Sequence, residues 1–379
     1  MMIYFNSNST SYPKPGNVIA AVNEYLGEIP YSAHRSGFKS RSVIEECRGK
    51  LADFFNVASP EHVIFTSGST EALNLAIFGM NKPRHIVSTT TEHNSVLRPL
   101  KTLERDNGLE ITLVDCDNQG FVDPGKIGEA IREDTSALII NHCSNVTGAI
   151  QDIEAIAKIA HSHNIPILVD ASQSAGAVEI DMQKTGIDML AFTGHKSLFA
   201  TTGIGGLVLK PGLELKPMKA GGTGVRSDFL YQPAELPFRY EAGTHNTLGM
   251  AALSAGIDYI NATGIDYIHN KKAAICQTII VGLAEMPQVV LYGGTQPERK
   301  HPVVNFGIHG ITVADISYIL NESFGIIVRS GLHCAPLIHN AIQASPEGTV
   351  RVSVSHRNTL EEAYLFLDAV SQIVQSAGE

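Results

Sequence analysis

No stretch of the chain approaches the ~20 consecutive apolar residues that cross a bilayer, so no membrane span is expected. The first residues, Met-Met-Ile-Tyr-Phe-Asn-Ser, lack the basic and long apolar regions of a secretory signal, and a cytoplasmic location is the expectation. Basic clusters are missing as well. With Lys and Arg scattered and a formal net charge of −10, the chain lacks the concentrated positive surface that nucleic acid or an anionic membrane requires. Cysteines are few and dispersed: Cys47, Cys116, Cys143, Cys276 and Cys334 form no Cys-x-x-Cys pair. Such a set speaks for reduced thiols rather than a disulfide framework, and it has no zinc spacing, so no metal is expected. Repeats and low-complexity segments are absent too.

What is present suits an ordinary globular chain. Its 379 residues, 44% of them hydrophobic, can bury a sizeable core and form more than one domain. The prolines of Tyr12-Pro-Lys-Pro-Gly16 mark an extended N-terminal arm. Helical spacing follows over 18–26 and 43–55. From Val63 strand and helix alternate, which predicts βαβ units on a mostly parallel sheet. Its strands are expected near 63–66, 86–88, 111–114, 137–141, 167–170, 189–193 and 205–209. The Gly- and Pro-rich segment 210–247 reads as a functional loop. Helices are expected over 249–267 and 271–286, then strand, helix, strand, strand, helix from Val303. The expected fold class is therefore α/β: a large domain over 14–250 and a smaller α+β domain over 251–379, joined by the arm 1–13.

The chain is organised around 165–196. Ile167, Leu168 and Val169 form an unbroken apolar run ending in Asp170, and a second run, 187–192, leads through Thr193, Gly194 and His195 to Lys196. Strands of this kind, buried on both faces, deliver an acid and a lysine to the carboxyl rim of one sheet, where open α/β sheets bind ligands. A structural ion pair is the bland alternative. Ser69 and Thr70 follow a strand and a glycine at a helix start, a place that suits a phosphate but also an ordinary N-cap. His93 alone reads as a structural hydrogen-bonder. Cys334 has Gly331, His333 and Pro336 around it, company that suits a surface loop, with Arg329 and His333 near enough to favour a thiolate. The other four cysteines lie in helix or strand patterns and read as structural.

Together, the Asp-Ala-Ser-Gln, Thr-Gly-His-Lys, Glu-His-Asn-Ser and Arg-Ser-Gly-Leu-His-Cys segments resemble the fold-type I pyridoxal-phosphate enzymes of the class V aminotransferase group, in particular the cysteine desulfurase and selenocysteine lyase family. The resemblance implies pyridoxal 5'-phosphate as cofactor, with Lys196 as the Schiff-base lysine, Asp170 as partner of the pyridine nitrogen and Gln173 at the phenolic oxygen. It implies Ser69, Thr70, Thr193 and His195 at the phosphate, His93 on the ring face and Asn145 near the ring oxygen and substrate carboxylate. Thr244, in Arg-Tyr-Glu-Ala-Gly-Thr-His-Asn, resembles a residue that reaches across a homodimer. His34 resembles part of a loop at the site's mouth, Arg329 and Arg351 the substrate grip, and Cys334 the sulfur-accepting nucleophile. The activity implied is sulfur transfer from L-cysteine to Cys334 with release of L-alanine, a sulfur-acceptor protein taking it onward. Selenocysteine lysis, another amino-acid lyase or aminotransferase reaction, and a non-catalytic sulfur-trafficking subunit remain open alternatives. Three segments depart from the family pattern, at 6–9, 197–202 and 356–357, and all three are expected around the substrate pocket.

Overall fold

A computed structural model describes residues 2–28, 38–294 and 299–377. In chain order its strands are β1 (Ile3–Tyr4), β2 (Val63–Thr66), β3 (His85–Thr89), β4 (Glu110–Val114), β5 (Thr135–Asn141), β6 (Ile167–Asp170), β7 (Met189–Thr193) and β8 (Gly205–Leu209). They are followed by β9 (Val289–Tyr292), β10 (Val304–Ile308), β11 (Ile326–Ile327), β12 (Arg329–Gly331) and β13 (Thr349–Val352).

Strands β2 to β8 form one sheet in the order β2-β8-β7-β6-β5-β3-β4, in which β8 alone opposes the rest. Each apolar run divides its side chains between two cores, because successive residues of a strand point to opposite faces. Ile167 and Val169 of β6 join the core that includes Ile153 and Ile156, whereas Leu168 joins Leu73 and Ile77 on the other face. Helices cover both faces, which is why these strands read as continuous rather than alternating. Their carboxyl ends bring Asn141, Asp170 and Thr193 together along one rim, with Asn141 opposite Asp170 in register.

A second, antiparallel sheet runs β12-β13-β10-β9. Helices Ile265–Ala284, Val313–Phe324 and Leu360–Ala377 bury Ile279, Ile316 and Phe366 in its core. The N-terminal arm belongs here. β1 pairs with β11, Phe5 packs edge-on against Phe366 at 5.8 Å, and Asn6 bridges to Ser353. The expected helices at 249–267 and 271–286 are Thr247–Thr263 and Ile265–Ala284, and the break falls at Gly264, whose φ of 89° favours a residue without Cβ. Met250, Leu253 and Ile257 pack in the first core, so the change of core falls between Ile268 and Ile275 rather than near residue 250.

Candidate active site

The turn after β2 has the close packing that glycine permits. A Cβ on Gly205 of β8 would meet the Gly68 Cα at 2.7 Å and the Phe192 oxygen at 2.5 Å, so the turn lies directly on the sheet. Helix Ser69–Gly79 starts there, and its first N–H groups point toward the rim. Thr70 Oγ1 meets Ser95 Oγ at 2.8 Å, and Ser95 in turn contacts His93. His93 caps helix Asn94–Asn107: its Nδ1 accepts from the Ser95 N–H at 3.0 Å. In the neutral ring the proton is then on Nε2. Burial pulls His93 down to about 4, so the ring is neutral at physiological pH.

Asp170 accepts from the Ser172 N–H at 2.9 Å and from the Ser172 hydroxyl through the same oxygen, leaving the other oxygen for a ligand. The Lys196 amine makes no hydrogen bond or ion pair among the described residues. Enclosure lowers it to about 8, against the attraction of Asp170, so a sizeable fraction is unprotonated near neutral pH. The arm lies across this strand end: Ser11 N–H and the Lys14 amine both donate to the His195 carbonyl, each at 3.0 Å. Behind the rim Glu92 is fully buried. It accepts from Thr89 Oγ1 at 2.7 Å and the Asn141 N–H at 2.8 Å, its second oxygen has no partner, and burial pushes it up to about 8.

The smaller sheet closes the cavity with positive charge. Arg329 and Arg351 stand directly opposite each other on β12 and β13, a like-charge pairing that is locally unfavourable. Ser9 Oγ accepts from Arg351 at 3.1 Å and from Arg329 at 3.4 Å, and Arg351 also donates to the Asn145 carbonyl at 2.9 Å. Neither guanidinium forms an ion pair among the described residues, and the Nε of Arg351 has no partner. Burial, with Arg329 beside it, lowers Arg351 to about 9, which still leaves it charged at neutral pH.

Arg329 donates to Cys334 Sγ at 3.1 Å. The Cys334 loop is fixed by its own carbonyls: Asn145 Nδ2 donates to the His333 oxygen and the Asn94 N–H to the Cys334 oxygen, both at 2.7 Å. Those bonds offset two consecutive left-handed residues, His333 and Cys334, with φ of 50° and 60°. His333 does not serve the thiol. Its Nε2 pairs with Thr349 at 2.9 Å and the ring is buried, because the left-handed turn sends the two side chains different ways. Cys334 is the only cysteine that is not buried.

A cavity of about 220 Å³ gathers Ser69, Thr70, His93, Asn145, Asp170, Gln173, His195, Lys196, Arg329 and Arg351. Gln173 donates to the Asn8 carbonyl at 3.1 Å. Thr193 stands outside that lining, its Oγ1 3.6 Å from where a Cβ on Gly68 would be. Thr244 lines a separate groove with Gly203 and Lys219, and His34 lies outside the described residues. Asn8, Ser9 and Ser172 also line the cavity. Sequence reasoning missed them as ligand-facing groups, and the polar run Asn-Ser-Asn-Ser-Thr at 6–10 was the available signal. Ser197, Phe199 and His356, at two of the departures, line a different cavity, so the expectation that all three surround the substrate pocket holds for Asn8 and Ser9 only.

An acid, a poised amine and two unpaired guanidiniums converging on one cavity make a site for an amino acid and an electron-withdrawing partner. The family model for class-V aminotransferases matches residues 3–366. The chain belongs to the aminotransferase class-V family. A probable cysteine desulfurase of Methanothermobacter thermautotrophicus is 34% identical, over 98% of this chain and 94% of that protein. One of Pyrococcus abyssi is 34% identical over 99% and 95%. Among solved structures, an apo cysteine desulfurase from Thermococcus onnurineus NA1 superposes with a TM-score of 0.90 at 33% identity, covering 99% of this chain and 95% of that one. The mostly parallel sheet flanked by helices is thus the fold of this class V, fold-type I group.

Proposed function

We propose that the protein is a pyridoxal-phosphate-dependent cysteine desulfurase that moves sulfur from L-cysteine to Cys334 and releases L-alanine. The observation that carries the reading is Cys334 Sγ, the one cysteine not buried, held 3.1 Å from an arginine that also lines the Lys196 cavity. The donor set fits the cofactor: a carboxylate with one free oxygen, an unpartnered amine, and a helix start with Ser69 and Thr70. When bound, pyridoxal phosphate supplies an aldehyde that condenses with amines and a ring that draws electrons from the substrate α-carbon.

The chain's own residues supply the rest. Ser69, Thr70 and the N–H groups of their helix would hold the phosphate, with Thr193 and His195 beside it. Asp170 would keep the ring nitrogen protonated, Gln173 would donate to the phenolic oxygen, and the neutral His93 would cover the ring face. Arg351 and Arg329 would bind the α-carboxylate, relieving their own repulsion. Asn145, pinned between the Cys334 loop and Arg351, would orient that carboxylate. Lys196 would take the proton from the α-carbon. The Cys334 thiolate would attack the substrate sulfur. The bond from that sulfur to Cβ breaks, its electron pair takes a proton at Cβ to give alanine, and an S–S bond to Cys334 forms. An acceptor thiol or protein would then remove the outer sulfur. Thr244, on its separate groove, would complete the cavity of a second copy in a homodimer. No helix among the described residues is long and apolar enough to cross a membrane, and a cytoplasmic site of action accompanies this reading.

Incubation with L-cysteine and a reducing thiol tests it. Alanine and sulfide should form in equal amounts, and Cys334→Ala should abolish both while the 420 nm absorbance region of the bound cofactor remains. Keto acid without sulfide, or full turnover by Cys334→Ala, sinks the proposal.

A further inference from the structure

Lys196 lines a second cavity, of about 20 Å³, whose titratable lining groups are all nitrogen bases: Lys196 itself, Lys272, His269, His301 and His356. Lys272 is 6% exposed, on helix Ile265–Ala284, and its hydrogen bond is to His301 Nε2 at 2.7 Å. Among the described residues no carboxylate pairs with it. A buried ammonium without counter-charge is costly, and proteins rarely leave one so. When that ammonium donates to Nε2, the His301 proton must sit on Nδ1, a buried atom that also has no partner. Two unsatisfied donors therefore belong to one small space. Its volume admits about one water-sized occupant, too little for a carboxylate or a phosphate.

We propose that this cavity binds one monoatomic anion of halide size, held by the Lys272 ammonium and the Nδ1–H of His301. An ion can arrive without crossing the first cavity, since Ala177 and His269 also line a groove of about 740 Å³ on the outer side. Ser197, Phe199 and His356, which stand at two of the segments that depart from the family pattern, form part of the wall. His356 is anchored by the Tyr259 hydroxyl at 2.7 Å, and Phe199 packs edge-on against both. The anion places a negative charge next to the amine that the first cavity uses.

Crystals of the holoprotein soaked in sodium bromide and measured at the bromine absorption edge should show one anomalous peak within hydrogen-bonding distance of Lys272 Nζ. A cavity without that peak overturns the proposal. In solution, the unfolding midpoint of the wild type should rise more in sodium chloride than in sodium gluconate of equal ionic strength, because binding to the folded state stabilises it. Lys272→Met and Lys272→Gln should each remove the difference. Equal midpoints in the two salts for the wild type, or a chloride preference that survives in both variants, also overturns it. The bromide measurement decides the matter even if neither variant folds.

Discussion

The two sheets place charge in the same cavity by opposite means. The seven-stranded sheet does so from its rim: Asp170 ends β6 and Lys196 lies three residues past the end of β7, where loops set each side chain. The four-stranded sheet does so from within its strands. Arg351 sits inside β13, fully buried, and Arg329 opposite it on β12, so hydrogen-bond register fixes both. Rim groups can shift as bonds change. Register-bound groups hold still, which suits recognition of a part of the substrate that does not react. The comparison teaches a division of labour: substitutions at the rim should act on kcat, and substitutions in the strands on KM.

Lys196→Ala should give the largest effect. Removing the amine that takes the α-proton should lower kcat by about 10⁴-fold, the upper range for general acid–base catalysis, with KM for cysteine little changed. Steady-state rates of alanine formation check this. Arg351→Met comes next. It should raise KM by about 10²-fold, within the range for losing one partner of a buried charged hydrogen bond, and leave kcat within a factor of a few. A drop confined to kcat would erase the proposed contrast between the sheets.

Legibility follows the same line. The rim was readable because a parallel strand buried on both faces is a continuous apolar run that stops where the rim begins, as Ile167–Asp170 does. Asp170 and Lys196 therefore showed themselves as chemistry at run ends. What local patterns could not show was pairing between distant segments. β1 is two residues, Ile3 and Tyr4, and is a strand only because β11 lies 323 positions on in register with it (Ile3 with Ile326). β9, Val289–Tyr292, is half-buried along its length and offers no alternation. The antiparallel course of β8 also follows from its neighbours, not from its Gly-Gly-Leu-Val-Leu run. His333 looked like a helper of the thiol by its place beside Cys334, and two left-handed residues turned it inward.

Glu92, buried behind the rim, tests whether the rim carries a protonation state of its own. Its carboxyl is raised to about 8 by burial, with Asp170 adding to the shift, against an ordinary 4.5. Between those values the folded chain binds the proton that the unfolded chain has lost. Stability contributed by this group is therefore complete below pH 4.5 and falls as pH rises toward 8. Glu92→Gln should flatten that decline, by at most about 1.4 kcal/mol per pH unit. Urea unfolding of both proteins at pH 5.5, 6.5 and 7.5 measures it, and parallel pH profiles would show Glu92 to be charged.

The smallest effect should come from the strands themselves. If the Arg329–Arg351 pairing exists to meet a carboxylate, the protein without substrate bears its repulsion, which for like charges directly opposite is about 0.2–1 kcal/mol. Arg329→Met should then raise the unfolding midpoint of the protein while it weakens binding of cysteine. It also removes the bond to Cys334 Sγ and the longer contact with Ser9, so a gain in stability appears only if repulsion outweighs both. A double-mutant cycle separates the causes. With Arg351→Met already in place no repulsion remains, and adding Arg329→Met should give no gain. An equal gain in both backgrounds would assign the effect to something other than the facing guanidiniums.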